Sequence, residues 1–265
     1  MAAEKTAAGK TIVMLVSVGS SVLRAKSASY DLIRKELEEH TGHEVLQVFS
    51  DDNTAKAVDS PEDRVYTVEG ALEEAVRQGA ERVVVVPVFM TKGQLYNEVK
   101  SRTDFYLDRL HVEITEPVLH DQESCRRAAA LFQDILQFDA KKEYLIVDHG
   151  NPFYHCTNNT YLEQAFRENG SDNIKVIQLK ERDSFGQAVA FLKARRADET
   201  GAQVVIVPLI VAWGDYMADE LYNSEDSFMW KLRNAGYRTV FTGMGMGEFP
   251  QFRKVYSERY DELGK

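Results

Sequence analysis

The sequence predicts an α/β protein of two similar halves, each a parallel sheet flanked by helices, with a ligand cleft between them. Three observations carry this expectation. The runs at 83–86 and 204–207 are apolar without alternation, as in parallel strands buried on both faces. Short β-branched runs alternate with amphipathic segments from end to end, which is the pattern of sheets covered by helices. The chain also repeats itself: residues 81–96 match 202–217 at a constant offset. In both copies a strand ends in Pro, an apolar stretch follows, and a Gly precedes a helix start.

Taken in order, strands are expected at 11–17, 44–49, 82–87 and 112–115 in the first half. The second half offers 143–148, 175–179, 204–208 and 239–242. Helices are expected between them, among others at 28–39, 68–78, 125–136, 160–168 and 185–195. Several stop at a residue that tolerates left-handed backbone, such as Gly79, Asn169-Gly170 and Gly201. The halves are expected at 1–138 and 139–265, joined by a short helical connection near 136–142. A helix of the second half is expected to cross back and brace the first.

Composition narrows the class. Hydrophobic residues at 44% and charged residues at 28% suit a soluble globular protein with a substantial core. A net charge of -10 with no basic stripe argues against a nucleic-acid partner. Lys92, Lys100 and Arg102 form a local exception, read as a solvated helix face. No apolar run approaches the roughly 18–20 residues of a membrane span, and the first ten residues lack the build of a secretory signal. Two cysteines, Cys125 and Cys156, cannot make a disulfide framework. A cytoplasmic address with no membrane partner is therefore expected.

Parallel sheets bind ligands outside the carboxyl ends of their strands. Gly19, Lys92-Gly93, His149-Gly150 and Trp213-Gly214 are all expected there, around one cleft. His149 ends a buried strand and precedes a glycine that allows close approach. Its imidazole suits a metal ligand or a proton acceptor near neutral pH, although a turn-shaping histidine would look alike. His155 and Cys156 follow, but no further cluster completes a structural zinc site. No Gly-x-x-x-x-Gly-Lys or Gly-x-Gly-x-x-Gly pattern occurs, so a phosphate loop is not supported.

In the segment after the strand at 204–208, Tyr216 and Glu220 are four apart, as on one helix face, and Asp215 stands where a cap would. Glu220 offers a carboxylate for a divalent cation or for protons. Ser17, Gly19, Ser20 and Ser21 end the first strand and could make a modest anion site. Phe89, Tyr96, Phe153, Tyr154 and Trp213 could wall a flat hydrophobic ligand, and core packing is the alternative for each.

The His149-Gly150 turn, the run Val207–Asp215 and the segment 227–236 together resemble the anaerobic cobaltochelatases of the class II tetrapyrrole chelatases. The match is strongest over 143–245; Val18-Gly19-Ser20-Ser21 and Gly93-Gln94-Leu95-Tyr96 occupy the equivalent first-half turns. The resemblance implies ATP-independent insertion of Co2+ or Fe2+ into sirohydrochlorin, in cobalamin synthesis, or into a related tetrapyrrole. His149 would bind metal and help remove pyrrole protons, with Glu220 as the second metal ligand and Tyr216 as an opposing catalytic group. Ser17, Gly19, Ser20, Ser21, Phe89, Gly93 and Trp213 would contact the tetrapyrrole. Two positions depart from the family: Tyr216 stands where it places a second histidine, and Leu95 where it places a glutamate. A non-catalytic tetrapyrrole- or haem-binding protein on the same scaffold is the second reading, and an unrelated α/β enzyme with a carboxylate-rich cleft the third. A homo-oligomer is compatible with all three.

Overall fold

The computed structural model describes residues 9–153 and 155–264, without the side chains of Asp215 and Tyr216. The first sheet comprises β1 (Thr11–Ser17), β2 (Glu44–Phe49), β3 (Arg82–Pro87) and β4 (His111–Ile114), in the order β2-β1-β3-β4. The second comprises β5 (Glu143–Asp148), β6 (Ile174–Gln178), β7 (Gln203–Pro208) and β8 (Arg238–Phe241), in the order β6-β5-β7-β8. All pairings are parallel. The repeat in the sequence is thus a repeat in topology.

The non-alternating strands behave as their composition requires. Along β1, Val13 and Leu15 join a core that spans both halves, while Ile12, Met14 and Val16 join one confined to the first half. Along β5, Tyr144 and Ile146 point into the spanning core, and Leu145 and Val147 into that of the second half. Both faces of each central strand are therefore dry.

Helix exchange ties the halves together. The Gln122–Leu136 helix, which follows the first sheet, packs on the Thr157–Glu168 helix of the second half, with the Phe132 and Phe166 ring centroids 6.1 Å apart. The Pro250–Glu262 helix returns to the first half as expected: Arg253 Nε donates to Glu36 Oε1 at 2.7 Å, and Phe252 reaches Phe132 with centroids 6.3 Å apart.

Two local expectations need correcting. The connection at 136–142 is not helical, because Gln137 takes a left-handed φ of 47° and ends the preceding helix; Asp139 and Lys142 then close a turn. The helix expected at 28–39 begins earlier, at Leu23–Ala25, and passes through a π turn at Lys26–Tyr30 before Asp31–Thr41. There Lys26 is buried, with its ammonium 2.6 Å from both Asp31 and Asp63. No helix among the described residues is long and apolar enough to cross a membrane.

Candidate metal-handling site

The two glycine turns are built alike. Gly19 follows β1 by two residues with φ 108°, and Gly150 follows β5 by two with φ 70°. A side chain on Gly19 would strike Phe49 at the end of β2; one on Gly150 would strike Gln178 at the end of β6. Both positions therefore need glycine, for backbone angle and for space. The backbone of the next strand's end repeats as well: Asp51 N donates to Val18 O at 3.3 Å, and Lys180 N to His149 O at 3.0 Å. His149 is thus the counterpart of Val18, and Lys180 of Asp51. Only the second half carries titratable groups at both places that can face a ligand, since Asp51 accepts from Thr54 N at 2.7 Å and caps the Asp52–Val58 helix.

His149 is held by its own turn, with Nδ1 3.0 Å from the Gly150 carbonyl oxygen. That carbonyl can only accept, so Nδ1 carries the proton and Nε2 of the neutral ring carries the lone pair. Nε2 lies 3.5 Å from Glu220 Oε2, and the other carboxylate oxygen, Oε1, accepts from Lys180 Nζ. Lys180, Glu220 and His149 form a chain of polar side chains, each partly open to solvent, at the carboxyl end of the second sheet.

Glu220 reaches this place because its helix changes pitch. The Asp215–Ala218 helix widens into a π turn at Asp219–Asn223. In the repeat, Glu220 corresponds to Val99, which lies on a regular helix and is fully buried. The side chains of Tyr216 and Asp215, and the whole of Tyr154, lie outside the described residues.

Beneath His149, Asp148 Oδ2 accepts from Asn159 Nδ2 at 2.7 Å. Burial pushes the Asp148 carboxyl above its ordinary range, against the opposing pull of that amide. Burial likewise raises the thiols, Cys125 to about 12, so both cysteines stay protonated and packed. His155 contacts Glu181 and Thr160 rather than His149. Among the described residues no cluster of three or more His, Cys, Asp or Glu is arranged to hold a metal. His149 and Glu220 offer two candidate donor atoms, so an ion held there would need further ligands from elsewhere.

The halves meet at these turns. Asn151 Nδ2 donates to Gln94 Oε1 at 3.0 Å, and an ideal Cβ on Gly214 would lie 3.5 Å from Ser20 Oγ. An open groove of about 710 Å³ runs along this junction, lined by Gly93, Gln94, Asn97, Asn151 and Phe153 among others. Gly93 is where the sequence put it. Ser20 accepts from Val22 N at 3.1 Å, and Ser21 is exposed nearby. Other expected contacts turn inward. Ser17 is fully buried as the last residue of β1, and Phe89 and Tyr96 are buried in the first-half core. Trp213 packs on Phe241 with centroids 4.7 Å apart, in an aromatic group that also includes Tyr222. Phe153 is 95% exposed.

Sequence reasoning missed Lys180, whose only signal is its place just past the end of β6. It also missed Leu23, and it placed Val18 and Leu95 in the first-half turns without expecting them as exposed apolar surface; the three follow β1 and β3. Lys92, Lys100 and Arg102 are ion-paired, with Glu116, with Asp104, and with Asp52 and Glu69 respectively, as a solvated face would be.

Compared with protein families, residues 10–263 match the model described as cobalt chelatase (CbiK). The chain belongs to the CbiK cobalt chelatase family. Among solved structures, SirB from Bacillus subtilis with Fe3+ is similar at a TM-score of 0.65 and 17% identity, over 96% of this chain and 95% of that one. DR2241 from Deinococcus radiodurans, a multi-domain protein with structural similarity to chelatases, aligns at a TM-score of 0.55 and 17% identity, over 95% of this chain and 54% of that one. No curated protein sequence matches the chain. The two-sheet architecture with its exchanged helices is thus the chelatase fold, and metal chelatase chemistry comes with CbiK membership.

Proposed function

We propose that this protein inserts a divalent metal, Co2+ or Fe2+, into sirohydrochlorin or a closely related tetrapyrrole, without ATP and in the cytoplasm. The observation that carries the proposal is the approach of His149 Nε2 to Glu220 Oε2, 3.5 Å, at the ligand end of the second sheet in a CbiK chain. Insertion exchanges one divalent ion for two pyrrole protons. An imidazole whose Nδ1 is tied to its own turn keeps Nε2 ready for either the ion or a proton. Glu220 supplies the negative charge that stabilises the ion and, in the next step, the protonated imidazole.

The macrocycle is accommodated from the first half. Val18, Leu23 and Leu95 present apolar surface there, and Phe153 adds an exposed ring from the second half. Exposed apolar side chains beyond the carboxyl ends of the strands suit a flat hydrophobic ring system. Its carboxylates would meet the open end of the groove.

Anaerobic absorbance of the protein with sirohydrochlorin and Co2+, then Fe2+ and Ni2+, tests the proposal against a protein-free control. Metallation faster than control is expected with Co2+ or Fe2+. Rates no faster than the protein-free control with all three ions would refute insertion. Leu95 favours one second reading, because its exposed apolar side chain stands where the family places a glutamate. In that reading the protein holds a tetrapyrrole or haem without metallating it, and tight binding with no acceleration is its signature.

A further inference from the structure

We infer that Lys180 is a built-in counter-cation of the metal position, occupying one oxygen of Glu220 until a divalent ion displaces it. The inference rests on the proposed role of His149 and Glu220. Nothing in family membership assigns Lys180 a task.

The geometry is specific. The Lys180 amide is anchored to the His149 carbonyl at 3.0 Å, so the side chain starts from the same turn as the imidazole. Its ammonium meets Glu220 Oε1, while Glu220 Oε2 faces His149 Nε2 at 3.5 Å. One carboxylate is therefore shared between a resident cation and the ring that would hold an incoming one. The side chains of Lys180, Glu220 and His149 are 33%, 22% and 35% exposed, so water screens the charges only in part. A divalent ion placed between His149 and Glu220 meets the ammonium as a like charge and as a competitor for the same carboxylate. The first half shows that the fold does not need a cation here: Asp51, the counterpart of Lys180, makes the same backbone contact and caps a helix.

The consequence is weak capture of free metal. A site that bound the bare ion tightly would stabilise it against transfer to the macrocycle, whereas an ammonium that returns to Glu220 as the ion leaves favours release. Lys180 is thus a positioning residue that acts through Glu220.

Calorimetric titration of the full chain with Co2+ alone, under anaerobic conditions, tests this. Lys180→Met should bind Co2+ at least about tenfold more tightly than the natural protein, since one positive charge close to the ion is gone. Lys180→Arg should stay near the natural affinity, and combining Lys180→Met with Glu220→Gln should abolish the gain. A gain in affinity is not a result that damaged folding produces; should the methionine variant fail to fold, Lys180→Gln carries the same expectation. Unchanged or weaker Co2+ binding by a folded variant would overturn the inference, as would a gain that survives in the double variant. No tetrapyrrole or turnover enters the titration, so a failure of insertion in the natural protein would count against the proposed reaction separately.

Discussion

Asn159 Nδ2 donates to Asp148 Oδ2 at 2.7 Å, one residue before His149 and from the first turns of the next helix. The contact fixes the end of β5 against the helix that follows it. Without this donor the carboxyl would keep only the backbone hydrogen bonds of His149 and Gly150. Asn159→Ala should lower stability by about 1–3 kcal/mol, read by urea unfolding, with metal handling impaired because the floor beneath His149 loosens. Unaltered stability would show that another group replaces the amide.

His149→Ala should abolish insertion while leaving the circular dichroism spectrum unchanged. Turnover at the natural rate would remove His149 from the mechanism. Glu220→Gln should harm turnover more than Tyr216→Phe, because Glu220 faces His149 directly. The reverse order in steady-state assays would identify the tyrosine as the replacement for the family's second histidine.

Phe132 is fully buried between Phe166 of the second half and Phe252 of the returning helix. Phe132→Ala should cost about 3–5 kcal/mol. Because the core around it contains residues of both halves, the protein should still unfold in one transition. Two separate transitions by fluorescence and circular dichroism would mean that the spanning core does not couple the sheets.

Asp121 caps the Gln122–Leu136 helix, accepting from Ser124 N at 2.7 Å in a capping box. That backbone hydrogen bond holds its carboxyl below the usual range. A depressed acid adds stability that is present above its unfolded value near 3.8 and lost as pH falls through the folded value. Asp121→Ala should cost about 1 kcal/mol at neutral pH and flatten the loss of stability on acidification below pH 4. An equally steep acid limb in the variant, measured by urea unfolding across pH, would assign that limb to other carboxylates.

Most of the architecture was legible because burial on both faces writes itself into local sequence. All eight strands were expected within one residue of their observed bounds, since unbroken apolar runs such as 83–86 can lie only inside. The glycine turns were legible too, because Gly19 and Gly150 meet needs of angle and space that sequence position already suggests. The connection after Leu136 was misread, as Gln137 is an unusual residue for left-handed backbone and carries no stop signal.

The sequence by itself determined the two-sheet fold, its internal repeat and the prominence of His149, all of which follow from local apolar pattern and turn chemistry. Only the tertiary structure decided which candidates share a site. Ser17 and Phe89 turn inward because strand parity and core packing, not residue type, choose the direction of a side chain at a strand's end. Glu220 reaches His149 through a π turn, and Lys180 joins them because β6 lies beside β5. Those contacts link residues 31 and 71 positions from His149, a separation that no local signal spans.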